Sequence, residues 1–426
     1  MSAAENSKSF DEDSRLKVNA SADDSRRRLL LDLFQAGLTR VDGRRCVADA
    51  LYDHSRLTGG RKVWVAAVGK AAASMALGAH DVLGASIGRV LVITKDDHIT
   101  PEVSRLPGIE LYESAHPIPD ERSLAAGKRL LQWVDELPPE ADPMFLISGG
   151  ASSLVEVLED GLTLQDLEKL NAGGLAQGVA IGELNARRSN LSRIKGGRLT
   201  ARLHGRPAHA MFISDVPGDD PDVIGSGLLG QLKGTVDSVR RDIVASVRDA
   251  MEAVRLAAGE RGLGATAAVR RFDGDAVRLA TRFAHELCLN EAQVCVWGGE
   301  STVQLPPNPG RGGRNQHLAL AVAKLICGQP KLALLAAGTD GTDGPTEDAG
   351  AIVDGETFSR ISLAGLDADE CLARADANPA LAASGDLIHT GPTGTNVGDL
   401  VIGLNVSPET AHAAIQRYRR AQERAL

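Results

Sequence analysis

No stretch of this 426-residue chain approaches the roughly 18 uninterrupted apolar residues that a membrane-spanning helix requires. The first 25 residues are polar and acidic and lack the apolar run of a signal peptide, so a soluble, cytoplasmic protein is expected. Positive charge is also in deficit. The 47 Lys and Arg face 56 Asp and Glu, a net charge of -9, which leaves no basic face for a nucleic-acid backbone. The five cysteines, Cys46, Cys288, Cys295, Cys327 and Cys371, form no C-x-x-C pair and have no histidine pair beside them; reduced thiols are expected in place of a disulfide or metal framework. Only 11 of the 47 basic residues are lysine, so a lysine inside a glycine-rich turn, as at Lys70 and Lys195, stands out.

Two nucleotide fingerprints are missing as well. Gly69-Lys70 is followed by Ala71, and Trp64 stands where a Walker A sequence needs its first glycine, so no P-loop is present. Gly225-Ser226-Gly227-Leu228-Leu229-Gly230 fits G-x-G-x-x-G, but it begins about a dozen residues past its nearest expected strand. No strand ending in a ribose-binding acid follows it, which argues against a dinucleotide site.

What is present is ample apolar content, 43%, enough for a core in each of two domains. Residues 1–24 read as a loose tail. Short β-branched runs at Val63–Val68, Val90–Thr94, Ile109–Tyr112, Met144–Ile147 and Met211–Ile213 then alternate with helical patterns, predicting an α/β domain over 25–235 with a mostly parallel sheet. Segment 236–290 reads as a helical connection, with helices over Val236–Gly259 and Asp275–Leu289 and a short strand at Thr266–Val269. Alternation resumes at Gln293–Trp297, Leu332–Ala336 and Leu400–Leu404 and closes on a helix over Glu409–Arg424, a smaller α/β domain over 291–426.

Open α/β sheets bind ligands where strands hand over to helices, so the turns there carry the chemistry. Lys70 follows a buried strand and opens a helix whose dipole repels a cation, which favours a functional ammonium over a surface lysine. Ser148-Gly149-Gly150-Ala151-Ser152 is a small-residue turn able to cradle phosphate oxygens, or simply a tight turn. Asn185 leads to Arg188, Ser192 and Lys195, whose spacing would align two cations and a hydroxyl on one helix face; a solvated basic face explains the run equally well. Asp215, Asp219 and Asp220 cluster after a strand, suited to holding Mg²⁺ or taking a hydroxyl proton, or to plain solvation. Glu300 follows Gly298-Gly299 at a strand end. Arg314-Asn315 opens a helix, a position that suits an arginine when an anion shares it. Asp340 sits among tight Asp-Gly turns that can contact a polyol or metal, and Thr393 and Asn396 lie in a hydroxyl-rich loop before the Leu400 strand.

Taken in order, Val68-Gly69-Lys70-Ala71, Ser148-Gly149-Gly150-Ala151-Ser152, Ile194-Lys195-Gly196-Gly197, Ser214-Asp215-Val216-Pro217-Gly218-Asp219-Asp220, Gly312-Gly313-Arg314-Asn315-Gln316, Gly338-Thr339-Asp340-Gly341 and Thr390-Gly391-Pro392-Thr393-Gly394-Thr395-Asn396 resemble the glycerate 2-kinase family. The resemblance implies a Rossmann-like domain and a MOFRL domain facing it across a cleft, with ATP, D-glycerate and Mg²⁺ between them and 2-phosphoglycerate as product. By motif it makes Lys70 and Arg314 the catalytic cations, with Asp215 as base and Asp219 as base or metal ligand. It places Ser148, Gly149, Gly150, Ser152, Asn185, Arg188, Lys195, Glu300, Asn315, Asp340, Thr393 and Asn396 around the substrates. Two departures from the family pattern, at Arg187, Ser189 and Asn190 and at Leu228 and Leu229, leave open a related sugar acid as acceptor. A hydroxypyruvate reductase and a non-catalytic sugar-acid sensor are the rival classes, and a homodimer is left open.

Overall fold

The computed structural model describes residues 17–18, 25–52, 61–176 and 188–424. Six strands form a fully parallel sheet: Val63–Val68, Ile87–Lys95, Ile109–Ser114, Asp142–Ile147, Ala208–Ile213 and Val239–Ala245. In space they run third, second, first, fourth, fifth, sixth. The order reverses between Val63–Val68 and Asp142–Ile147, which opens a crevice at the carboxyl ends of those two neighbours. Both sheet faces are buried, as the β-branched runs require. Val65, Ala67, Val90 and Val92 enter one core, while Ala66, Val68, Leu91 and Ile93 enter another.

The second sheet has eight strands and is mostly antiparallel. Its path runs Lys17–Val18, Leu387–His389, Gly350–Asp354, Leu332–Gly338, Asp399–Asn405, Val294–Thr302 and Ala265–Ala267, with Phe272–Asp275 also beside Val294–Thr302. Alternation with helices therefore did not signal a parallel sheet here. Leu332–Gly338 and Gly350–Asp354 pair directly through the aspartate-rich loop between them.

Two expectations change. Segment 236–290 is not a helical connection, because Val239–Ala245 completes the first sheet before a helix spans Val247–Glu260. Arg240, Arg241 and Asp242 hide this strand from a search for apolar runs. It is an edge strand, and its charges are used: Arg241 donates to Leu229 O at 2.7 Å, and His209 Nε2 lies 2.7 Å from Asp242. The strand-to-helix boundary is marked by Ser246 and Asp249, which cap the helix reciprocally.

Helix Ser25–Arg40, expected in the first domain, packs against helices Val247–Glu260 and Pro408–Glu423 and the strand Asp399–Asn405. Leu29, Leu30, Leu33, Phe34 and Leu38 point into a core that is continuous from Val65 and Met211 of the first sheet to Leu335, Ile402 and Leu404 of the second. Gly37 permits the approach, since a Cβ there would lie 3.1 Å from Leu400 and Val254. Arg27 fastens the helix by buried ion pairs of 2.8 Å to Asp354 and 2.7 Å to Asp386. No helix among the described residues is long and apolar enough to cross a membrane.

Because that helix joins both halves of one core, emptying its centre should weaken the whole molecule. Phe34→Ala is expected to cost ~3–5 kcal/mol, read as a lower urea midpoint.

Candidate active site

The crevice predicted by the strand order is where the turns converge. After Val63–Val68, Gly69 takes φ +133°, and a Cβ on it would collide with Ser148. The turn is clasped to its neighbour by two bonds: Lys70 N–H donates to Gly149 O at 2.9 Å, and Ala71 N–H donates to Ser148 Oγ at 3.0 Å. Ser148 is fully buried, so its hydroxyl shapes the turn. Gly150 is left-handed at φ +86°, and Gly149 leaves space that a Cβ would take from Asp215 and Asn396.

Lys70 is thereby aimed across to the second sheet, where Nζ meets Asp340 Oδ2 at 2.5 Å. Burial would raise the Asp340 carboxyl, but the Lys70 ammonium and a backbone bond from Thr342 outweigh it and hold it at about 2. Asp215 follows strand Ala208–Ile213 and accepts from Asn396 Nδ2 at 3.0 Å, a second contact between the halves. Burial pushes its carboxyl up, opposed by the charges of Lys70 and Arg271. Thr393 donates to Thr339 O and holds the Asn396 loop against the aspartate-rich turn.

On the far side, Arg314 grips Asp399 with two bonds, 2.6 and 2.9 Å, and reaches Glu300 at 2.8 Å. The amino end of helix Arg314–Leu325 is capped by Asp343, which accepts from the N–H groups of Asn315 at 3.1 Å and Gln316 at 2.8 Å. The anion expected beside Arg314 is thus supplied by the chain's own carboxylates. Asn315 adds a 3.3 Å bond from Nδ2 to Asp343, and its Oδ1 is buried with no partner among the described residues.

The third turn departs from its expected form. Arg188 to Asn190 is helical, but Leu191 to Gly197 is a chain of turns, so Arg188, Ser192 and Lys195 do not share a helix face. Ser192 Oγ accepts from the N–H groups of Ile194 and Lys195 at 3.3 and 3.2 Å. Lys195 turns inward and is buried against Glu156 at 2.5 Å and Ser152 O at 2.7 Å. Arg188, half-buried, feels the charge of Glu156. Ser152 Oγ lies 2.6 Å from Ser226 Oγ, and the Gly225–Gly230 loop is used in packing, with Gly196 and Gly197 N–H donating to Ser226 and Gly227 O. Asn185 lies outside the described residues. Asp219 sits half-exposed in the turn after Asp215 at φ +53°. No group of three His, Cys, Asp or Glu side chains able to hold a metal ion is found among the described residues.

Sequence reasoning missed several groups here. Lys95 ends strand Ile87–Lys95 and His98 follows it, while His116 follows Ile109–Ser114 and lies close to Gly150 and the Lys70 stem. Burial first, then Lys70 and Lys95, lower the His116 imidazole to about 3. No local pattern announces these residues, since parallel strand order alone assembles them. Asp343 and Asp399 carried a weak signal, being acids beside buried strands. A cavity of about 410 Å³ lies at the amino ends of the first sheet's strands, opposite the site, lined by Val63, Met144 and Pro207, and none of the site's charged residues lines it.

Residues 29–255 match the family described as "Domain of unknown function (DUF4147)", and residues 293–399 match the MOFRL family. The chain is 36% identical over 384 residues to a D-glycerate 2-kinase of Thermotoga maritima, covering 81% of this chain and 91% of that one. It is 32% identical over 395 residues to a glycerate 2-kinase of Pyrococcus horikoshii, covering 81% and 88%. The crystal structure of a Thermotoga maritima glycerate kinase superposes with a TM-score of 0.79 at 34% identity, over 90% of this chain and all of that one.

Two outcomes follow from the geometry. Lys195→Met should destabilise by ~3–5 kcal/mol by stranding Glu156, and adding Glu156→Leu should recover most of it, in chemical denaturation. His116 is held neutral in the fold but takes a proton near 6.5 when unfolded, so the unfolded state binds the extra proton. Stability is therefore lost as pH falls from 6.5 towards about 3, and His116→Asn should flatten that slope in urea midpoints measured against pH.

Proposed function

Because the chain belongs to the glycerate 2-kinase family, with a DUF4147 region followed by a MOFRL domain, we propose that it transfers the γ-phosphoryl group of ATP to the 2-hydroxyl of D-glycerate, giving 2-phosphoglycerate and ADP. The observation that carries the reading is the meeting of Lys70 and Asp215 at the switch point of one sheet with Asp340 and Asn396 from the other. Phosphoryl transfer needs charge on the equatorial oxygens and a positioned hydroxyl more than it needs covalent help.

In this reading Lys70 exchanges Asp340 for phosphoryl oxygens, and Arg314 loosens Glu300 while Asp399 keeps its guanidinium oriented. Asp215, raised by burial, is a better proton acceptor than a solvated aspartate and takes the hydroxyl proton. Gly149 and Gly150 let phosphate oxygens approach the backbone. Magnesium arriving with the nucleotide would neutralise phosphate charge, with Asp219 as its one protein carboxylate, since a nucleotide-bound magnesium needs no cage of three.

Of the two departures from the family pattern, the one at Leu228 and Leu229 weighs little against glycerate. Leu228 and Leu229 are fully buried in the core beside the first sheet and present nothing to the crevice. Two relatives of Agrobacterium vitis, each 33% identical, bear the name putative hydroxypyruvate reductase, but the Gly225–Gly230 loop is bonded to Gly196 and Gly197 in packing, which weighs against a dinucleotide site there.

Phosphorus NMR after incubation with Mg-ATP and D-glycerate is expected to show 2-phosphoglycerate; unchanged ATP would sink the reading. Lys70→Ala and Arg314→Ala should each lower kcat by about 100- to 1000-fold in a coupled ADP-release assay.

A further inference from the structure

Arg271 lies outside every motif that the sequence singled out, in the turn between strands Ala265–Ala267 and Phe272–Asp275. Its side chain is 15% exposed. Both Nη1 and Nη2 are covered from solvent, and neither has a hydrogen-bond partner among the described residues. Among the described residues one carboxylate stands within ion-pair range, Glu300 Oε2 at 3.8 Å, too far for a hydrogen bond. That carboxylate is half-exposed and already bonded to Arg314 at 2.8 Å. Arg271 also bears on Asp215, whose carboxyl it lowers second only to Lys70 among nearby charges. Gly398 makes room for it, since a Cβ there would lie 3.1 Å from Nη2.

A buried guanidinium with idle donors in a fork is costly unless something fills the fork, and an anion that offers two oxygens, a carboxylate or a phosphoryl group, fits it. We propose that Arg271 is the specificity-determining residue for the acceptor, binding its carboxylate in a two-pronged bond while Asp215 faces the adjacent hydroxyl. Glu300, 3.8 Å from the fork, swings towards solvent when the acid enters. The 2-hydroxyl of a short acid is one carbon from its carboxylate, which matches a cation and a base that feel each other's charge. The proposal rests on the kinase reading for the identity of the acid.

Titration calorimetry with ADP present compares D-glycerate and its neutral amide, D-glyceramide, on the wild type, R271A and R271K. The wild type is expected to prefer D-glycerate by roughly 10- to 100-fold, R271A to lose that preference through weaker D-glycerate binding, and R271K, which keeps charge without the fork, to fall between. R271K carries the test if R271A does not fold. A preference that survives in the variants, equal affinity for acid and amide in the wild type, or no wild-type binding overturns the proposal. Phosphorus NMR on the wild type separates the two readings: acid binding that depends on Arg271 without phosphoryl transfer keeps Arg271 in its role and sinks the kinase.

Discussion

Everything at the site hangs on the clasp between two neighbouring turns, in which Ser148 and Gly149 accept the N–H groups of Ala71 and Lys70. The clasp fixes the backbone of Lys70 at the point where strand order reverses, so the ammonium has one direction to go, across to Asp340. Gly69 and Gly149 are the sterically demanding members, one for its φ and contact with Ser148, the other for the space occupied by Asp215 and Asn396. Parallel pairing then brings Lys95 and His116 to the same edge without any local sequence signal.

Strands buried on both faces announced themselves, and the first sheet was legible from Val63–Val68 to Met211–Ile213 because an apolar β-branched run has few other uses. Val239–Ala245 was illegible for the opposite reason: an edge strand can carry Arg240, Arg241 and Asp242, and such a run reads as the start of the helix behind it. At the site, glycine-flanked residues such as Lys70 and Asp340 could be found because a tight turn after a strand limits the side chain's options. Lys195 shows the limit. Its turn was found, but whether the ammonium faces a ligand or Glu156 depends on a partner 39 residues away that no local pattern reveals. Arg271 was missed for the same reason, since its neighbours Glu300, Gly398 and Asp215 come from three distant segments.

Helix Ser25–Arg40 explains why the two sheets do not behave as separable units in packing. Its apolar residues lie in the core shared by both sheets, and Arg27 anchors it to Asp354 and Asp386. A closing motion of the crevice must therefore pivot about a packed helix, which favours small shear displacements over a wide hinge.

The alternation of charge across the crevice, from Lys70 with Asp340 to Arg314 with Asp399 and Glu300, has a consequence for how a polyanion enters. Lys70 and Arg314 each already have a carboxylate at hydrogen-bonding distance, so an incoming phosphate takes these cations from sitting partners instead of filling an empty positive field. Entry is partner exchange. Its free energy is the difference between two sets of ion pairs of similar kind, and added electrolyte, which weakens both sets together, shifts that difference far less than it shifts binding to an open basic surface.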